Sequence, residues 1–228
     1  MSWIDLSAGT MWMAAAVAIW AALTAARNVS VAGRRSFMLM QVAIALWAVT
    51  AGIEVLTTDR ALHLLVARIQ YIGIVSLPVF WFRFAGGYAQ RIQSRDRRLG
   101  VLWFVPLVTI VAAFTNDAHH LLWTNIVPPA DGVGLTTFVR GPIFWLNWIH
   151  AYALIAVGTV WLALNLKHYS ARYRIQLWLL ILGVAAPWAG NLLYILGWVP
   201  LPGLDMTPLA FSITGVCFVA SVFSAKQR

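Results

Sequence analysis

Charge is scarce in this chain. Only 10% of its 228 residues are Asp, Glu, Lys or Arg, against roughly 25% in soluble domains. With 61% hydrophobic residues and a mean hydropathy of +0.79, a water-soluble domain is excluded and an integral membrane protein is implied. Cysteine is nearly absent. The single Cys217 lies inside an apolar run, so a disulfide within the chain is impossible and the residue reads as a small core group. Lysine is almost as rare. Lys167 and Lys226 both sit at the ends of apolar runs. A retinal Schiff base needs a lysine inside the bundle, so retinal linkage is excluded and no cofactor is expected. Acids are few as well, and the net charge is +9. The basic residues flank apolar runs and form no basic face, which argues against nucleic acid as a partner and for a lipid bilayer. Residues 1–9 contain Asp5 but no Lys or Arg. Without a positive n-region, no cleavable signal peptide is expected. No internal repeat or low-complexity linker appears, so residues 1–228 read as one domain.

Long apolar runs are what the chain does have. A membrane span needs about 20 mostly apolar residues, and seven segments qualify. They are Ala8–Ala26, Phe37–Leu56, Leu62–Tyr88, Leu99–Thr115, Pro142–Leu166, Ile175–Trp198 and Thr207–Ser224. One long loop, Asn116–Gly141, separates the fourth from the fifth. Pro142 and Thr207-Pro208 have the form of helix starts. The expected fold is all-α, a bundle of seven transmembrane helices.

Orientation follows from the basic residues. Twelve of the 16 fall in the connections after spans one, three and five and in the C-terminal tail. Cytoplasmic loops carry the excess of Lys and Arg, so the N-terminus is expected outside and the C-terminus in the cytoplasm.

Depth along each span follows from a rise of about 1.5 Å per residue. On that ruler the outer half collects polar groups on several helices. Glu54 lies near the end of span two, Arg68 and Tyr71 near the start of span three. Asn147, His150 and Tyr152 fall in the outer half of span five, Asn191 and Tyr194 in that of span six. Asp205 lies at the mouth of span seven. Polar groups inside a membrane face protein or a water-filled cavity. These nine residues are therefore the candidate ligand-binding set of a cavity open to the outside and closed below. Glu54 and Arg68, one short hairpin apart, are expected to pair. Asn191 could equally be interhelical glue, and His150 a satisfied bundle histidine. The loop residues His119 and His120 are weak candidates for a metal and more simply structural.

Several stretches together resemble a known family. They begin with Glu54 after an apolar helix, then Tyr71-Ile72-Gly73 with Pro78, Trp81 and Phe84. Pro106 follows, then Thr115-Asn116 with His119, His120 and Trp123. Gly141-Pro142-Ile143-Phe144-Trp145 with Tyr152 comes next, then Gln176. Pro187, Asn191 and Tyr194 lead into Asp205-Met206-Thr207-Pro208 and Phe211. In order and spacing the chain is similar to the N-terminal seven-helix sensor region of prokaryotic histidine kinases. The resemblance implies a non-enzymatic input domain of two-component signalling in a bacterial or archaeal cytoplasmic membrane. It further implies a homodimer and a cytoplasmic effector, such as a histidine kinase or diguanylate cyclase, joined in cis or acting in trans. The chain is then either a sensor region cut from a longer protein or a stand-alone member. The expected function is a receptor that binds an unidentified small molecule in the outer cavity and passes a conformational change through span seven. A small-solute transporter and a membrane-embedded enzyme or haem protein are the alternatives. The first would want polar groups at the midplane and below; the second lacks a nucleophile–base pair.

Overall fold

The computed structural model describes residues 3–27, 33–93, 96–127, 136–165, 171–196 and 207–219. Eight helices and one hairpin make up its elements. Helices α1 (Trp3–Arg27), α2 (Arg34–Leu56) and α3 (Arg60–Tyr88) come first. A 3-10 turn at Arg97–Trp103 leads into α4 (Phe104–Phe114), and α5 is the single turn Asn116–His119. Strands β1 (Trp123–Val127) and β2 (Thr137–Arg140) pair antiparallel. Helices α6 (Pro142–Asn165), α7 (Ala171–Ile195) and α8 (Thr207–Phe218) follow.

Among the described residues, five helical runs are long and apolar enough to cross a membrane: α1, α2, α3, Arg97–Phe114 and α6. They match the first five expected spans to within a few residues. Helices α7 and α8 occupy the remaining two apolar segments, and the end of the seventh segment lies outside the described residues. The loop expected over Asn116–Gly141 is in fact partly ordered into α5 and the β1–β2 hairpin.

The helices pack as a closed ring. Each of α1, α2, α3, α6, α7 and α8 touches the next, and α8 returns to α1 and also meets α2. Helix α4 lies outside the ring, against α3 and α6. Lipid tails supply no hydrophobic drive between helices, so close approach of backbones decides the packing. Helix α1 meets this need with a buried stripe of Ala14, Ala18, Ala21 and Ala25. Gly73 on α3 does the same. A Cβ there would come within 2.6 Å of the Ala43 carbonyl oxygen on α2. Sparse polar bonds tie the ring further: Ser212 Oγ to the Ala14 carbonyl (2.9 Å), and Trp81 Nε1 to the Ile155 carbonyl (3.3 Å). Large apolar side chains such as Met13, Val101, Phe104 and Ile149 stay exposed, as a lipid-facing surface requires.

Several buried polar atoms have no hydrogen-bond partner among the described residues, and Gln41 contributes both ends of its amide. Gln41 lies on α2 and is fully buried. It packs against Gly215 of α8. A buried donor or acceptor left unpaired costs about 1–3 kcal/mol, so Gln41→Met, which keeps the shape, should raise thermal stability in nanodiscs. A fall of more than about 1 kcal/mol would show that the amide has a stabilising partner.

Candidate functional site

A cavity of about 200 Å³ opens among α2, α3, α6, α7 and the hairpin, with Thr207 of α8 in its wall. It lies at the end of the bundle where α2 and α7 finish and α3, α6 and α8 begin. Call this the hairpin end.

The hairpin is seated there by Asn116. Its Oδ1 accepts from the backbone N–H of Leu122 and of Trp123, both at 3.0 Å, and its Nδ2 donates to the Trp123 carbonyl at 3.0 Å. Asn116, Leu122 and Trp123 are all nearly inaccessible to solvent. With the chain turned by His120 in a left-handed conformation (φ 54°), Trp123 is driven inward. Its ring meets Tyr71 edge-on with centroids 5.4 Å apart, its Nε1 donates to the Tyr71 hydroxyl at 3.3 Å, and Phe138 of β2 packs beside it at 4.7 Å. Gly141 closes the hairpin onto α6: its N–H donates to the Leu122 carbonyl at 2.8 Å, and that of Ile143 to the Leu121 carbonyl at 3.0 Å. Arg140 reaches across to α7, where Nη1 donates to the Ile195 carbonyl at 2.7 Å and the guanidinium lies over Phe144. This is a cationic cap on the carbonyl end of a helix.

The opposite wall is aromatic. Trp148 and Tyr152 pack with centroids 4.2 Å apart, and Tyr152 stacks on Trp188 at 4.8 Å and 14°. Pro187 and Asn191 continue that wall along α7. Asn191 joins three helices: its Oδ1 accepts from the Tyr152 hydroxyl at 3.2 Å, and its Nδ2 faces the Thr207 Oγ1 at 3.5 Å. Glue between helices and a cavity lining are thus the same residue.

Of the nine candidate residues, Glu54, Tyr71, Asn147, Tyr152 and Asn191 line the cavity. Arg68 does not, and the expected Glu54–Arg68 pair is not formed. Arg68 Nη2 instead bonds Asp117 Oδ2 at 2.6 Å. Helical geometry explains this. His63 and Gln70 are seven residues apart and so share the face of α3 that meets α2. Arg68 falls about 140° round from His63 at about 100° per residue. Glu54 accordingly takes the Gln70 amide on Oε2 and lies 3.1 Å from His63 Nε2 on Oε1. The latter contact is out of line for a hydrogen bond. His150 is half-buried and does not line the cavity. Asn147, Trp148, Ala151, Tyr152 and Ile155 define the inward face of α6, and His150 sits roughly 130° from its centre. Asp205 lies outside the described residues, as does the side chain of Tyr194.

His119 spends both ring nitrogens locally, near Thr115 Oγ1 (3.0 Å) and accepting from the Leu121 N–H (2.9 Å). That is a structural role. Among the described residues no group of three or more His, Cys, Asp or Glu could hold a metal.

Sequence reasoning missed Gln70, Trp123, Phe138, Trp148 and Trp188. Tryptophan near span ends more commonly belongs to an interfacial aromatic belt, so its presence there does not point to a cavity. The signal available for Gln70 was its seven-residue spacing from His63.

No curated relative and no solved structure matches this chain. A family model described as the N-terminal 7TM region of histidine kinase matches residues 9–227. That range holds every residue of the cavity wall and all of the ring except the first six residues of α1. The chain therefore belongs to the family of N-terminal seven-transmembrane regions of histidine kinases, and its role is sensory, in two-component signal transduction across a membrane.

Proposed function

We propose that the cavity at the hairpin end is the sensor's ligand pocket, and that α8 carries its signal to a cytoplasmic effector. In this reading the hairpin end faces outward from the cytoplasmic membrane of a bacterium or archaeon. The N-terminus is outside, seven helices span, and the domain works as a homodimer without a cofactor. The observation that carries it is the Tyr152–Asn191–Thr207 chain, which links a cavity wall to the first residue of α8. A ligand that prefers one arrangement of that chain shifts the population of α8 positions by its differential affinity. Pro187, inside α7 and buried in the wall, removes a backbone bond, so a hinge there is cheap.

The test is a fusion of residues 1–228 to a histidine kinase reporter. Glu54→Ala with Asn191→Ala should reduce its stimulated output at least tenfold. Output equal to wild type under every stimulus would sink the receptor reading, and solute flux through liposomes would replace it with transport.

A further inference from the structure

Among the described residues Glu54 is the acid in the cavity wall, and no Lys or Arg pairs with it. Among the described residues its carboxylate meets only Gln70 and His63. Arg68 is committed to Asp117, and Arg140 to the Ile195 carbonyl and the Phe144 ring. Residues 128–135, between β1 and β2 in the sequence, and 197–206, which precede α8 in it, contain no Lys or Arg. The Glu54 side chain is only 15% exposed, and a buried carboxylate without a permanently charged partner is costly. The surrounding wall is rich in aromatic rings, among them Tyr71, Trp148, Tyr152 and Trp188, and a ring face carries the negative end of the aromatic quadrupole. Asn147 adds a buried amide, 7% exposed, whose Oδ1 has no hydrogen-bond partner among the described residues.

Resting on the pocket reading above, we propose that this cavity takes a small organic cation. Its ammonium group is the missing counterion of Glu54, and its body packs on Tyr71, Trp148, Tyr152 and Trp188. Carboxylate and ring faces both favour positive charge, and aromatic walls suit alkylated ammonium groups. An anion would meet repulsion from Glu54, and Arg140, which also lines the cavity, is held by the Ile195 carbonyl and the Phe144 ring. A neutral apolar molecule would leave Glu54 uncompensated. A bare metal ion would lack donors, since three or more suitable side chains do not converge among the described residues.

The test uses the full chain in nanodiscs, with tryptophan fluorescence as the reporter, because Trp123, Trp148 and Trp188 line the cavity. Phenyltrimethylammonium and choline are each compared with their neutral carbon isosteres, tert-butylbenzene and 3,3-dimethylbutanol. At least one cation should quench saturably with an affinity at least tenfold above its isostere. Glu54→Gln should abolish that preference and Glu54→Asp retain it. Trp188→Leu, which keeps the carboxylate, should weaken the cation several-fold. Equal affinity of cation and isostere, or a preference that survives Glu54→Gln, overturns the proposal. So does the absence of quenching by both cations in a chain whose circular dichroism is intact. None of these results bears on the receptor reading, which falls only if the doubly substituted reporter fusion signals like wild type.

Discussion

Asn116→Ala should destabilise the protein by roughly 3–5 kcal/mol and open the cavity. One side chain satisfies two backbone N–H groups and one carbonyl at a place where solvent scarcely reaches. A buried backbone group left unpaired costs about 1–3 kcal/mol, and alanine strands three. The loss would spread, because the N–H of Trp123 and the carbonyl of Leu122 set where the hairpin meets α3 and α6. Trp123 would leave Tyr71, and its emission should shift to the red as water enters. Asn116→Asp should not rescue the clamp: the carboxylate still accepts from both N–H groups, but it sets an oxygen against the Trp123 carbonyl and buries a charge with no partner. Thermal unfolding in nanodiscs, followed by circular dichroism and by tryptophan emission, checks both variants. An alanine variant within about 1 kcal/mol of wild type would mean that water replaces the clamp and that the hairpin is not held by it.

Gly141→Ala is the second large effect, through crowding. A Cβ at this position would lie 2.2 Å from the Leu121 carbonyl oxygen and 3.0 Å from that of Leu122. Both obstacles are backbone, so no side chain can swing aside. Relief requires moving the Leu121–Leu122 backbone away from Gly141 and the start of α6, which breaks the Gly141–Leu122 and Ile143–Leu121 bonds. Overpacking of this kind typically costs about 1–3 kcal/mol, and the two broken bonds add about 1 kcal/mol each. Loss should appear first as local opening of the hairpin, with faster hydrogen exchange at Leu122, Gly141 and Ile143 while the ring of helices stays protected. Unchanged exchange at these amides would refute the account.

The fold was largely legible in the residues. Apolar runs bounded by basic clusters mark the spans. Pro142 and Thr207-Pro208 mark two helix starts, and both appear at those positions. The hairpin was not legible. Its strands are five and four residues long, too short to show a period-two pattern, and its order comes from a side chain outside it, Asn116. The candidate site was half legible. Depth found Glu54, Tyr71, Asn147, Tyr152 and Asn191. Arg68 and His150, chosen by the same ruler, do not line the cavity, because depth fixes the height of a residue on its helix but not the side it faces. His63 and Gln70 won the position beside Glu54 by angle.

Taken alone, the sequence determined that the chain is helical, lies in a membrane and holds its polar groups toward one end of several apolar helices. Those properties follow from local quantities: run length, hydropathy and rise per residue. Only the tertiary structure decided which polar groups meet. It turned Arg68 to Asp117 and left Glu54 with no Lys or Arg partner among the described residues, it set tryptophans in a cavity wall, and it tied Asn191 to both Tyr152 and Thr207. Partner choice depends on how each helix is rotated against its neighbours. That rotation is set by packing at positions such as Gly73 and the alanine stripe of α1, which lie far from the cavity in sequence and are silent about it until the ring closes.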